Sequence, residues 1–204
     1  LKIKHFLRLF NSLFFISSDA NCQKIIGDCT VIYSVSAQDN NLQKTVKTLY
    51  VGGKQTRVDV QNGKFLQSMI YDDNTRAAVL FREFGGEKYM SALTAEKWKK
   101  QNEKYEGMAL TTTDETKSIL GYECKKIKAA LRDGTIFSIY YTPEIILTCS
   151  ENPYQFKNIP GLILEYETET ENKQKITFTA ISVDFNPVPH YKFEIPSTGY
   201  RMLQ

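Results

Sequence analysis

Hydrophobic and polar residues alternate with a period of two through most of the chain. From Cys29 to Ala37, the side chains of Cys29, Val31, Tyr33, Val35 and Ala37 share one side. Thr30, Ser34 and Ser36 take the other, and Ile32 is the exception. That period predicts a half-buried strand. Further strands are predicted over 44–51, 55–61, 65–71 and 77–84. Gly52–Gly53, Asn62–Gly63, Asp72–Asp73–Asn74 and Gly85–Gly86 are the turns between them and toward Tyr89. Turn signals about every ten residues mark a meandering antiparallel sheet. Thr94 then caps a predicted helix over 95–105, with Trp98, Asn102 and Tyr105 on one face. Strands resume after Gly107. Segments 121–131 and 135–142 flank the turn Arg132–Asp133–Gly134, and 162–170 and 173–185 form a last hairpin about Glu171–Asn172. Residues 144–161 read as a long irregular segment, and a final edge strand is expected near Tyr200–Leu203. The fold class is therefore mainly β. It is a single antiparallel curled sheet or half-barrel of about ten strands with one short helix, because so wide a sheet cannot stay flat.

The first twenty residues break this rhythm. Lys2, Lys4 and Arg8 precede the apolar run Leu9–Ile16, and Ser18 and Ala20 are the small residues of a cleavage site. The layout is that of a secretory signal cut after Ala20, which leaves residues 21–204 as a single antiparallel β domain. The run is too short to span a bilayer, and no later stretch approaches that length. Asp19 and Asn21 argue against lipidation at Cys22. The expected address is the periplasm or cell envelope.

Composition narrows the function classes. The 204 residues carry a formal net charge of only +3, which offers no field for nucleic acid. Twelve Tyr, twelve Phe and one Trp favour strands and an apolar interior. Four cysteines follow the leader: Cys22, Cys29, Cys124 and Cys149. In an exported chain they are disulfide candidates, with three pairings open. No C-x-x-C motif and a single histidine after the leader, His190, leave metal ligation weak, and no cofactor is expected. No nucleophile elbow, dinucleotide fingerprint or P-loop occurs, and His190 reads as a solvated tail residue. Glu165, Glu167, Glu169 and Glu171 alternate, as a solvated sheet face does, and Lys125, Lys126 and Lys128 read the same way.

Three blocks carry a resemblance. They are Gly121–Tyr122–Glu123–Cys124–Lys125–Lys126, then Tyr140–Tyr141–Thr142–Pro143–Glu144–Ile145, then Phe156–Lys157–Asn158–Ile159–Pro160–Gly161–Leu162–Ile163–Leu164–Glu165. In this order and spacing, over roughly residues 118–170, they resemble the GLPGLI family of exported Bacteroidetes proteins. Asn158–Ile159 stands where the signature has its first Gly-Leu, while Pro160, Gly161, Leu162 and Ile163 match. The resemblance implies an export signal, a LolA-like lipoprotein-carrier half-barrel and no assigned activity or catalytic residue.

The residues themselves predict a signature turn in which Pro160 presets φ and Gly161 supplies a positive φ. Beyond it, Leu162, Leu164 and Tyr166 face one side. With Tyr140 they are the candidate ligand-facing residues. The expectation is a non-enzymatic envelope protein that holds a lipid or other apolar ligand in its concave sheet, under 144–161 as a flap. A protein-binding envelope component without small-molecule ligand is the alternative, and an unadvertised enzyme is the third.

Overall fold

The computed structural model describes residues 23–37, 44–170 and 173–203. The leader, Ala20, Cys22 and Glu171–Asn172 lie outside the described residues.

A six-strand meander comes first. It runs β2 (Asp28–Ala37), β3 (Val46–Gly52), β4 (Gln55–Asn62), β5 (Phe65–Asp72), β6 (Ala77–Phe84) and β7 (Glu87–Leu93), each antiparallel to the next. Register holds Val31, Leu49, Val58, Met69 and Leu80 in one row across five strands, so the alternation in sequence becomes one apolar face. Two of the glycine turns sit one residue later than predicted. Gly52 is still in β3 and Gly53 carries the positive φ, and likewise Gly63 turns the chain after Asn62.

Helix α1 (Ala95–Gln101) starts where predicted. Thr94 accepts a hydrogen bond from the Lys97 amide, and Trp98 is buried. The α-helix stops earlier than expected, at Asn102, whose side-chain amide donates to the Trp98 carbonyl. A 3-10 turn over Glu103–Tyr105 then brings Tyr105 into the core, so the predicted face survives the change of helix type.

β8 (Ala109–Ile119) is a strand the pattern did not resolve. Leu120 and Gly121, both at positive φ, turn it into β9 (Tyr122–Ala130). β10 (Ile136–Thr142), β12 (Leu162–Glu169) and β13 (Lys175–Asp184) complete the second half, and β13 pairs with β2. The tail crosses back through a 3-10 turn at His190–Phe193 and ends in β14 (Arg201–Met202), which lies parallel to β7.

The sheet has twelve strands in the order β14-β7-β6-β5-β4-β3-β2-β13-β12-β10-β9-β8, mostly antiparallel and not closed into a barrel. Bulges at Tyr140/Tyr141, Ala180/Ser182 and Thr112/Thr116 interrupt the ladders, and bulges increase local twist. A separate parallel pair joins β1 (Lys24–Ile26) to β11 (Ile145–Leu147), so 144–161 is not wholly irregular. The count among the described residues is thus fourteen strands rather than about ten. The additions are short pairs or the edge strand β8, whose exposed Thr-rich sequence shows little alternation.

Candidate functional site

The segment after β10 forms a strap across the apolar face. β11 is stitched to the N-terminal strand, with the Lys24 amide donating to Glu144 O and the Thr148 amide to Ile26 O. Asn152 then organises a tight turn by accepting from the Tyr154 and Gln155 amides, while its own amide group donates to Asn102 Oδ1 below α1. This turn drives Phe156 inward, where its ring meets Tyr166 edge-on at 5.0 Å.

Under the strap lies the most unusual residue of the molecule. Lys47 is in register with Leu49 and Val51, hence on the core side, and it is 2 % exposed. Its ammonium donates to both oxygens of Glu151 at 2.7 and 2.5 Å and to the Tyr166 hydroxyl at 2.8 Å. The rings of Tyr33, Tyr166 and Phe178 surround it at 4.6, 4.7 and 5.4 Å from their centroids. Burial lowers the proton affinity of Lys47, and Glu151 works against that shift. Burial also pushes the Tyr33 and Tyr166 hydroxyls well above the usual phenol range, with Glu151 adding to it. Sequence reading missed this cluster. A lysine in phase with Leu49 and Val51 was the available signal.

The signature turn ends the strap, and its geometry corrects the expectation for Gly161. The positive φ belongs to Asn158, at 63°. Gly161 instead serves close approach: a Cβ there would stand 2.1 Å from Thr142 O. Asn tolerates the left-handed region better than most residues, which is why it can stand at this position. Ile159 packs against the aromatic cluster, and Leu162 begins β12 at 1 % exposure.

The four candidate ligand-facing residues do not meet around a ligand-sized space. Leu162 and Leu164 join one core cluster and Tyr166 the other. Tyr140 sits at the margin of the first, with the Lys117 and Lys126 ammonium groups 5.4 and 5.7 Å from its ring centre. The space left under the strap, bordered by Tyr33, Leu49, Glu151, Phe156 and Leu162, is about 90 Å³. A small-molecule site typically needs ~300–1,000 Å³. The strap thus fills the part of the concave face beneath it with its own side chains.

The acids also divide differently from a uniformly solvated face. Glu165 is 9 % exposed, paired with Lys117 at 2.7 Å and accepting from Thr179 Oγ1. Glu167 accepts from the Ser138 amide, and Glu169 is half-buried. Lys125 and Lys128 are exposed, while half-buried Lys126 pairs with Glu115.

Cys29, Cys124 and Cys149 are buried free thiols, none bonded to another. Burial pushes them up to about 12, 11 and 12, where they are inert as nucleophiles. His190 is exposed and lies 3.8 Å from Glu194. Among the described residues, no group of His, Cys, Asp and Glu is arranged to hold a metal, and no helix is long and apolar enough to cross a membrane.

A second concave feature lies outside the strap. Between the 3-10 turn after α1, the start of β8 and the strap's last residues runs an open groove of about 460 Å³. Met108, Leu110, Ile127, Tyr154, Lys157 and Pro160 are among its lining residues. The groove joins a depression of about 600 Å³ beside α1 through Tyr105, Gly107, Tyr154 and Lys157.

Residues 31–190 match a family described as "N-glycanase peptide, N-terminal domain". No curated protein matches the chain. Among solved structures, PNGF-II is similar in two crystal forms. One has 14% identity and a TM-score of 0.51, covering 86% of this chain and 30% of that one. The other has 13% identity and a TM-score of 0.53, covering 87% and 32%. The chain thus spans about a third of PNGF-II, and the likeness is one of fold. A LolA superfamily protein, NE2245 from Nitrosomonas europaea, has 8% identity and a TM-score of 0.32, over 82% of this chain and 89% of that one.

Proposed function

The chain belongs to the family described as N-glycanase peptide, N-terminal domain, and from that membership and the site's geometry we propose that it is a non-enzymatic recognition domain of the cell envelope, which binds a protein partner. The observation that carries this reading is the filled space under the strap. Where an apolar cargo would lie, the strap has placed Phe156, Ile159 and the Lys47–Glu151 pair, and about 90 Å³ is left. The family's description as an N-terminal domain, and the one-third span of PNGF-II, support a reading in which this fold works beside other parts of a longer protein. In this reading any glycanase chemistry belongs to those other parts.

The GLPGLI resemblance fits the same proposal. Its three blocks supply the start of β9, the end of β10 with the first residue of β11, and the strap's return into β12. An exported address goes with it, as the leader's layout implies. Carriage of a lipid would require the strap to leave the sheet and break its buried ion pair.

Native mass spectrometry of residues 21–204, purified without detergent, tests the reading. The expected spectrum is the bare chain, unchanged by organic extraction. Incubation with an N-glycosylated peptide should leave the peptide's mass intact. An extractable apolar adduct, or loss of the glycan, would overturn the proposal.

A further inference from the structure

We propose that the first four residues of β8 and the groove beside them receive an extended peptide of a partner protein as an added strand. The inference rests on the recognition reading above and names its site.

The first observation is an open edge. β8 ends the twelve-strand sheet, and β9 is its sole neighbour among the described residues. In an antiparallel strand, every second residue turns both its N–H and its C=O to the same side. Within Ala109–Thr112, alternate residues therefore present both groups away from β9, with no described strand to receive them. The stretch is short because the edge is guarded beyond it. A bulge follows Thr112, and Asp114, Glu115 and Lys117 are exposed after it, which are common devices against edge pairing. Residues 109–112 carry no charge and lie before the bulge.

The second observation is what flanks this stretch. Leu110 and Thr112 both border the groove, two residues apart on one face. A strand added to β8 would send its own alternate side chains to that same face, over Met108 and against Tyr154 and Pro160. Main-chain hydrogen bonds would then supply affinity and the groove would select side chains. The groove's charge also points to a partner chemistry. Lys157 is its charged lining residue, is exposed, and makes no ion pair among the described residues. No carboxylate lines the groove itself, while Glu96, Glu103 and Glu106 line the depression it joins. The segment that fits carries an apolar or aromatic side chain with an acidic one close by.

The test pans random linear dodecapeptides on phage against the intact chain and counter-selects on the Lys157→Glu variant. Lys157 lies at the surface, so the variant should fold. Enriched peptides should pair an apolar residue with Asp or Glu, and lose about fivefold in affinity on Lys157→Glu. They should slow amide hydrogen exchange within 109–112. N-methylation of alternate peptide amides should abolish binding in one register and spare it in the other. The site is overturned by no enrichment, by protection mapping elsewhere, or by binding indifferent to both methylation registers. It is also overturned by a dimer of the chain that protects 109–112 without peptide, since a second copy would then own the edge. None of these results touches the recognition reading, which a co-purifying lipid or released glycan would sink instead.

Discussion

At the scale of single residues, Lys47 and Glu151 matter most. Neither charge could be buried here alone, because desolvating one ion costs several kcal/mol. Together they hold the strap against the sheet, with the Tyr166 hydroxyl filling a remaining donor direction. Glu151→Gln should therefore destabilise the fold by about 3–5 kcal/mol in urea unfolding, since it strands the ammonium among three rings. The double variant Lys47→Met, Glu151→Leu should recover most of that loss. A double variant as unstable as Glu151→Gln would mean the pair contributes more than its own neutralisation. The sequence holds a trace of this cluster, the phase of Lys47 with Leu49 and Val51, but no trace of its partner. Glu151 lies 104 positions away in a segment without periodicity, and only the folded strap brings it there.

At the scale of elements, the strap's return is set by two unlike residues. Asn158 supplies the left-handed turn, and Gly161 supplies absence of a side chain beside the Thr142 carbonyl. Gly161→Ala should cost about 2–4 kcal/mol, because the obstacle is backbone and cannot swing aside. Asn158→Gly should stay within about 0.5 kcal/mol of the parent. Equal midpoints for Gly161→Ala and the parent in urea would refute the close-packing account. Elements were legible wherever one face is buried and the other wet, as in β2 and β3, whose exposures alternate strictly over most of their length. β8 was not legible for the opposite reason. Eight of its eleven positions are exposed, so no period marks it. The groove beside it depends on β8, the 3-10 turn and the strap at once, so the chemistry of its lining could be read only after folding.

At the scale of the molecule, three buried thiols make stability depend on pH. In an unfolded chain they would ionise near ~8.5. In the fold they hold their protons up to about 12, 11 and 12. Above pH ~8.5 the unfolded state thus binds fewer protons than the folded one, and stability must fall as pH rises toward those values. Buried Tyr33 and Tyr166 act in the same sense at higher pH, while the lowered Lys47 acts in the opposite sense. Between pH 8 and 10 the unfolding free energy from urea titration should drop, by about 2 kcal/mol per thiol. A variant carrying Cys29→Ala, Cys124→Ala and Cys149→Ala should show a shallower drop. An unchanged slope would mean the thiols are accessible in the native protein.

The pairing of β13 with β2, and of β1 with β11, also has a consequence in time. A chain threaded out N-terminus first can zip β2 through β7 hairpin by hairpin, since each contact is local. β2 must nevertheless wait for a mate some 150 positions later, and β1 for one about 120 positions later. Until β13 arrives, the meander exposes the flank of β2 and has no strap over Lys47. Closing such distant contacts is slow, on the order of milliseconds to seconds. During synthesis and passage this half-built sheet is the vulnerable species, and a companion that shields the flank of β2 would act on the nascent chain rather than on the finished protein.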